Sequence, residues 1–145
     1  MDAIELLKDD HENVKNLFDQ VRTADGVDEK RELFEEIRDE LLLHAHIEET
    51  IFYPVFQNRD GFQEIVKEAI EEHQEMKKLL REISDTEDDE EMESMLEDLI
   101  ECVEHHVEEE ETEFFPKVKK SLDQTEINEL GSKLEQEKKK KPLAA

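Results

Sequence analysis

Apolar residues recur along this chain at spacings of three and four, the pattern of helices that bury one face. Ile4, Leu7, His11, Val14, Phe18 and Val21 form a first stripe and predict a helix from about Asp2 to Arg22. A break at Thr23–Val27, containing Asp25-Gly26, comes next. Phe34, Ile37, Leu41, His44, Glu48, Ile51 and Val55 then predict a second helix from about Asp28 to Gln57. A tight turn at Asn58–Gly61 leads to a third, with Phe62, Val66, Ala69, His73, Met76, Leu80 and Ile83 aligned and its end near Ile83. Ser84–Asp89 is an acidic loop able to cap the next helix. Met92, Met95, Leu99, Val103, His106, Glu110 and Phe114 predict that fourth helix from about Glu90 to Lys120. Thr125–Lys138 predicts a short, weaker terminal helix interrupted at Gly131. Pro54 and Pro116 each remove a backbone donor near the end of a long helix and are expected to kink or stop it.

Four amphipathic helices joined by short loops predict an all-α, up-down-up-down four-helix bundle over residues 1–120. Residues 121–145 are expected to add a short helix and a lysine-rich tail, with Lys138 to Lys141 solvated. The bundle is written twice. His11, His44 and Glu48 recur 62 residues later as His73, His106 and Glu110. Leu17/Leu79, Thr50/Thr112, Phe52/Phe114 and Pro54/Pro116 keep the same offset. An internal repeat of this kind predicts two helical hairpins related by a pseudo-two-fold axis.

The chain has 145 residues and a formal net charge of −25, which argues against nucleic acid or an anionic membrane as a partner. No run of about 18 apolar residues marks a membrane span, and no basic, then apolar, N-terminal stretch marks a secretory signal. One cysteine, Cys102, cannot form an intrachain disulfide. Together these features predict a cytoplasmic protein.

The chemistry lies where polar residues interrupt the apolar stripes. Glu48 falls between Leu41 and Ile51, and Glu110 between Val103 and Phe114. A buried carboxylate without a partner costs several kcal/mol or takes up a proton. No Lys or Arg occupies these stripes nearby. Helix lengths and turn positions bring His11, His44, His73 and His106 to similar depth. Metal ions would satisfy both residue types, since imidazole and carboxylate both ligate them. His-x-x-x-Glu places the two groups one turn apart on one helix face. Two such pairs and two single histidines suit two adjacent metals, each with two His and a share of both Glu, with an oxide or hydroxide completing the bridge. Non-haem iron is favoured, with manganese or zinc as competitors.

The order His11, His44-x-x-x-Glu48, His73, His106-x-x-x-Glu110, with Phe52-Tyr53-Pro54 and Phe114-Phe115-Pro116 beyond the two glutamates, resembles the hemerythrin-like cation-binding family. The resemblance covers residues 1 to about 120. It implies a four-helix bundle with a non-haem centre of two iron ions, and it maps the ligands onto His11, His44, Glu48, His73, His106 and Glu110. Family members include dioxygen carriers, oxygen, redox or iron sensors, peroxide-handling proteins and proteins that mend nitric-oxide-damaged iron centres. Dioxygen carriers have a further His one turn after the third-helix ligand, where this chain has Lys77. They also end the ligand set with Asp five residues after the last His, where this chain has Glu110 at four. The set here looks like that of non-carrier members.

Other residues weigh less. His105 with Glu109 offers a shifted register that the repeat rejects. His46 is expected to point into solvent, Glu49 and Glu109 to lie off the site, and Glu113 to be exposed or an outer acceptor. Tyr53 is expected to pack at the bundle end, and Cys102 to be a small buried hydrophobe. Three functions remain in play. The first is a di-iron protein reacting with dioxygen, peroxide or nitric oxide. The second is an oxygen- or iron-sensing or reversible dioxygen-binding module. The third is a structural or storage bundle.

Overall fold

The computed structural model describes residues 1–140; Lys141, the last of the lysine run, lies outside the described residues. Its helices are α1 (Ala3–Arg22), α2 (Val27–Ile47), α3 (Tyr53–Phe56), α4 (Gln63–Asp85), α5 (Asp89–Glu109), α6 (Phe115–Ser121) and α7 (Gln124–Lys140). Two π-helical turns, Glu48–Phe52 and Glu110–Phe114, join α2 to α3 and α5 to α6. These two rods of the bundle are therefore continuous but locally widened. α1 pairs with α2, and α4 with α5, as the duplicated hairpin predicts.

Local chemistry sets the helix starts. Asp2 and Glu5 form a capping box on α1: the Asp2 side chain accepts from the Glu5 amide at 2.8 Å, and Glu5 accepts from the Asp2 amide at 3.0 Å. The Asp88 side chain accepts from the amides of Glu90 and Glu91 and caps α5. Gly26, at φ 92°, turns the chain into α2.

The π turns change the register expected from the sequence. The amide of Tyr53 bonds to the carbonyl of Glu48, and that of Phe115 to Glu110, five residues back instead of four. A proline in an α-helix presses its ring on the carbonyl four residues earlier. The wider turn accommodates Pro54 and Pro116 without ending the rod. One extra residue per turn also rotates everything beyond it. Regular periodicity puts Ile51 and Val55 on the core stripe. Instead Phe52, Tyr53 and Phe56 are buried, Ile51 is half-buried and Val55 is exposed.

Two apolar layers result. One joins Phe52, Tyr53, Phe56, Phe114 and Phe115 at the π-turn end. The other joins Phe18, Phe34, Ile37, Leu80, Ile83 and Leu99 towards the opposite end. The polar stripe residues lie between them.

α7 is not peripheral. Ile127, Leu130 and Leu134 are buried in the same layer as Leu7 and Phe52, and the helix packs on α1, α2 and the first π turn. Nor does Gly131 interrupt it. A Cβ there would lie 2.5 Å from the Met1 carbonyl oxygen and 2.8 Å from the Ala3 amide nitrogen. The missing side chain is what lets α7 reach the start of α1. Lys138 to Lys140 continue the helix; Lys139 and Lys140 are exposed, as expected of a solvated run, whereas Lys138 is half-buried against Asp10.

Gly131→Ala should therefore lower stability. Helix propensity favours Ala by about 1 kcal/mol, but overpacking against backbone costs about 1–3 kcal/mol. A thermal melt should show a lower Tm. An unchanged or raised Tm would mean that α7 does not seat this closely.

Candidate metal centre

The six stripe residues converge. His11, His44, His73 and His106 are each 7 % exposed or less, and Glu48 and Glu110 at most 1 %. The imidazoles form two pairs, one from each hairpin. Ring centroids lie 4.9 Å apart for His11 and His44 and 4.8 Å for His73 and His106. Glu48 and Glu110 stand between the pairs. Glu48 Oε1 is 3.3 Å from His44 Nε2 and 3.0 Å from His73 Nε2. Glu110 Oε1 is 3.1 Å from His11 Nε2, and its Oε2 is 3.4 Å from His106 Nε2. The carboxylates thus connect the two hairpins.

All four rings present Nε2 inward because a carboxylate holds each Nδ1 outside. His44 donates from Nδ1 to Asp10 at 3.0 Å, and His106 to Glu72 at 2.6 Å. His11 donates to Glu111 at 2.8 Å, and His73 to Glu49 at 2.6 Å. A carboxylate is an acceptor, so it fixes the Nδ1–H tautomer and leaves the Nε2 lone pair for the centre. The bracing crosses elements: Asp10, beside His11 on α1, holds His44 on α2. Glu111, beside Glu110, holds His11. The repeat duplicates this bracing. Asp10/Glu72 and Glu49/Glu111 keep the same 62-residue offset. That offset was the available signal for them, and their charge hid it, since acidic residues flank the stripe almost everywhere. Glu49 is therefore part of the constellation, against expectation.

Tyr53 also differs from expectation. Its hydroxyl donates to Glu110 Oε2 at 2.7 Å and lies 3.0 Å from Glu48 Oε1 and 3.3 Å from His73 Nε2. Its repeat counterpart is Phe115, which stacks on His11 at 6.0 Å. The pseudo-two-fold is broken here, with a phenol on one side and a plain ring on the other.

The remaining candidates lie further out. Lys77 aims Nζ at Glu49, at 2.9 and 3.0 Å, not at the cluster. His46 is not fully solvated; its Nε2 and the Glu137 carboxylate of α7 are 2.7 Å apart. Glu113 is exposed. His105 and Glu109 meet Glu72 at the surface, where His105 is 65 % exposed. Cys102 is half-buried beside a small cavity, also lined by Val14, Leu41, Met76 and Val103, that opens onto the imidazoles. Burial, then the Glu75 charge, raise the Cys102 pKa, so the thiol stays protonated near neutrality.

The donor set fits cations. His44 Nε2 and Glu48 Oε2 are buried with no hydrogen-bond partner among the described residues. Two groups, His11/His44/Glu48/Glu110 and Glu48/His73/His106, each place one donor atom per residue within 4.8 Å of the others, and they share Glu48. Without a metal, protons do the compensating. Burial alone would lower the His44 pKa, but the Glu48 charge and the Asp10 hydrogen bond raise it to about 10. His106 is likewise raised: burial opposes this, and Glu110 outweighs it. Burial pushes Glu48 up, and the His44 charge draws it well below the usual range.

These shifts fix the pH response of metal-free protein. His44 gains protons on folding, so its contribution is full below its ordinary 6.5 and is lost as pH rises towards about 10. Glu48 is depressed, so its contribution is present above its ordinary 4.5 and is lost as pH falls below it. In chelator, the melting temperature should be highest between about pH 5 and 6.5 and should fall on the alkaline side. A Tm that is flat or rising from about pH 6.5 to 9 would contradict the buried proton sharing.

Comparison with known proteins agrees with this arrangement. A protein from a Nostoc species named as a DNA nickase is 26 % identical over 141 residues, which is 97 % of this chain. The chain spans only 40 % of that protein's length. The crystal structure of a hemerythrin HHE cation-binding domain-containing protein from Mycobacterium kansasii superposes with a TM-score of 0.79. It is 27 % identical, and the match covers 95 % of this chain and 88 % of that one. The profile of the hemerythrin HHE cation-binding domain matches residues 2–118. With its duplicated His/Glu clusters inside an all-helical bundle, this chain belongs to the hemerythrin HHE cation-binding domain family.

Proposed function

We propose that the protein holds two iron ions between its hairpins and binds or reacts with dioxygen, peroxide or nitric oxide. The observation that carries this reading is the pair of imidazole pairs facing one another across Glu48 and Glu110, with every Nδ1 braced by a carboxylate. His11 and His44 would hold one ion and His73 and His106 the other, with Glu48 and Glu110 shared. Four neutral imidazoles and two carboxylates leave positions for a small ligand, which suits iron among the first-row metals. Bound there, an iron pair supplies one-electron steps and open coordination positions.

The chain's own groups do the rest. The outer carboxylates keep the rings from rotating. The apolar walls Val14, Leu41, Met76 and Val103 restrict water and admit a small neutral molecule. The Tyr53 hydroxyl, buried against Glu48 and Glu110, can hold a proton at the floor of the site. Burial and both carboxylates raise its pKa well above 10, so it remains a donor. Lys77 is committed to Glu49. No further imidazole stands in its place, which favours reaction over long-lived dioxygen carriage.

A second reading keeps the same centre in a sensing or reversible-binding module without turnover. It is favoured by the Nostoc relative, of which this chain matches only part. The nicking activity in that relative's name is not extended to this chain, whose net charge of −25 repels a phosphate backbone.

Protein produced with ample iron should carry close to two Fe per chain and absorb in the near ultraviolet. Glu48→Ala or Glu110→Ala should lose most of it. One iron per chain, or zinc alone, would sink the di-iron reading. Steady-state peroxide turnover supports the reactive reading, and stoichiometric binding alone supports the module.

The bracing has its own test. Glu49→Gln and Asp10→Asn should each weaken metal affinity about 10- to 100-fold by releasing a ring. Titration with a competing chelator measures this. Wild-type affinity in both variants would mean that the outer carboxylates are only surface charge.

A further inference from the structure

The four outer carboxylates are not equivalent. Asp10 is clamped by Lys138 of α7. Glu49 is clamped by Lys77 at 2.9 Å, and Glu72 faces His105 at 3.5 Å. Glu111 touches His11 and, among the described residues, no other cationic group. Lys15, the repeat counterpart of Lys77, makes no ion pair with it. Glu111 is also 35 % exposed. It lies on the wall of a groove of about 360 Å³ between α1 and α5, whose other lining residues include His11, Glu12, Lys15, Glu104 and Glu108.

We propose that this α1/α5 groove is the route by which hydrated divalent cations reach and leave the centre, with Glu111 as its gate. The inference rests on the metal-centre reading above. A cation passing inward must displace one outer carboxylate and shed its water. Moving Asp10, Glu49 or Glu72 breaks contact with a second basic group as well as the imidazole; moving Glu111 breaks only one contact. A carboxylate that swings outward can take a cation from a groove carrying four glutamates and one lysine, and return it to His11. The other three outer carboxylates are covered by Lys138 of α7, by Lys77 and by the His105–Glu109 cluster, and the cavity lined by Val14, Leu41, Met76 and Val103 offers apolar walls that suit a neutral molecule and not a hydrated cation.

A route differs from a ligand in its kinetics. Obstructing it slows uptake and release in the same proportion and leaves the equilibrium constant alone. Thr112 is exposed on the groove wall, and Thr50 is its exposed counterpart on the other hairpin. Full-length metal-free protein would be mixed with Co²⁺ and followed by visible absorbance, and the loaded protein would then be mixed with excess chelator. Thr112→Trp should slow both phases about tenfold, with affinity within about twofold of wild type. Thr50→Trp should match wild type. Glu108→Arg, which puts a cation at the groove mouth, should slow uptake severalfold and most strongly at low salt. It decides the matter if Thr112→Trp proves misfolded. Unchanged rates in Thr112→Trp or Glu108→Arg, or equal slowing in Thr50→Trp, would overturn the route while leaving the centre intact. Wild-type protein that takes up no Co²⁺ would instead remove the centre itself, and the route with it.

Discussion

Two carboxylates, Glu48 and Glu110, are buried at the middle of the bundle, and the rest of the molecule is organised around their charge. Water cannot compensate them there, and no Lys or Arg is adjacent. The compensation falls to four imidazoles and what those imidazoles carry: protons in the metal-free protein, cations in the loaded one. The same six residues would serve both states, so loading exchanges protons for cations at one set of side chains. The exchange is uphill in acid, where protons hold the imidazoles, and eases as pH rises.

The cage is rigid because it is braced from outside. Each ring is held at Nδ1 by an outer carboxylate, with its Nε2 turned towards Glu48 or Glu110. The bracing crosses from helix to helix, so ring orientation depends on the packing of both hairpins. The π turns matter for the same reason. Each begins at an inner glutamate and rotates the next aromatic residues into the core, where Phe52, Tyr53, Phe114 and Phe115 seal the floor of the site. A straight α-helix would have sent Val55 inward and Tyr53 elsewhere.

Duplication explains the symmetry of the centre, and its departures locate what each half does differently. Tyr53 against Phe115 puts a proton donor on one side only. α7 covers the first hairpin, where Leu43 and Ile47 supply apolar contacts; the equivalent positions in the second hairpin are His105 and Glu109, and they face water. Lys77 closes one carboxylate, whereas Lys15 leaves its counterpart free.

The six inner residues, the bundle and the two-fold repeat were legible in the sequence, because apolar periodicity and a constant offset are one-dimensional signals. A glutamate on an apolar stripe is conspicuous before any fold is known. The outer carboxylates were not legible as such: in a chain with 44 acidic residues, Asp10, Glu49, Glu72 and Glu111 look like solvated surface until the helices are placed side by side. Gly131 looks like a break because propensity sees a missing side chain, not the backbone of α1 that fills its place. The π turns are hidden in the same way. Proline signals a disturbed hydrogen bond locally, but whether the rod ends, kinks or widens is decided by which aromatic face the core can bury. Sequence alone determined which residues carry charge inward. Only the tertiary structure decided which groups hold them there, because those contacts join segments up to 128 residues apart, as in Asp10 and Lys138.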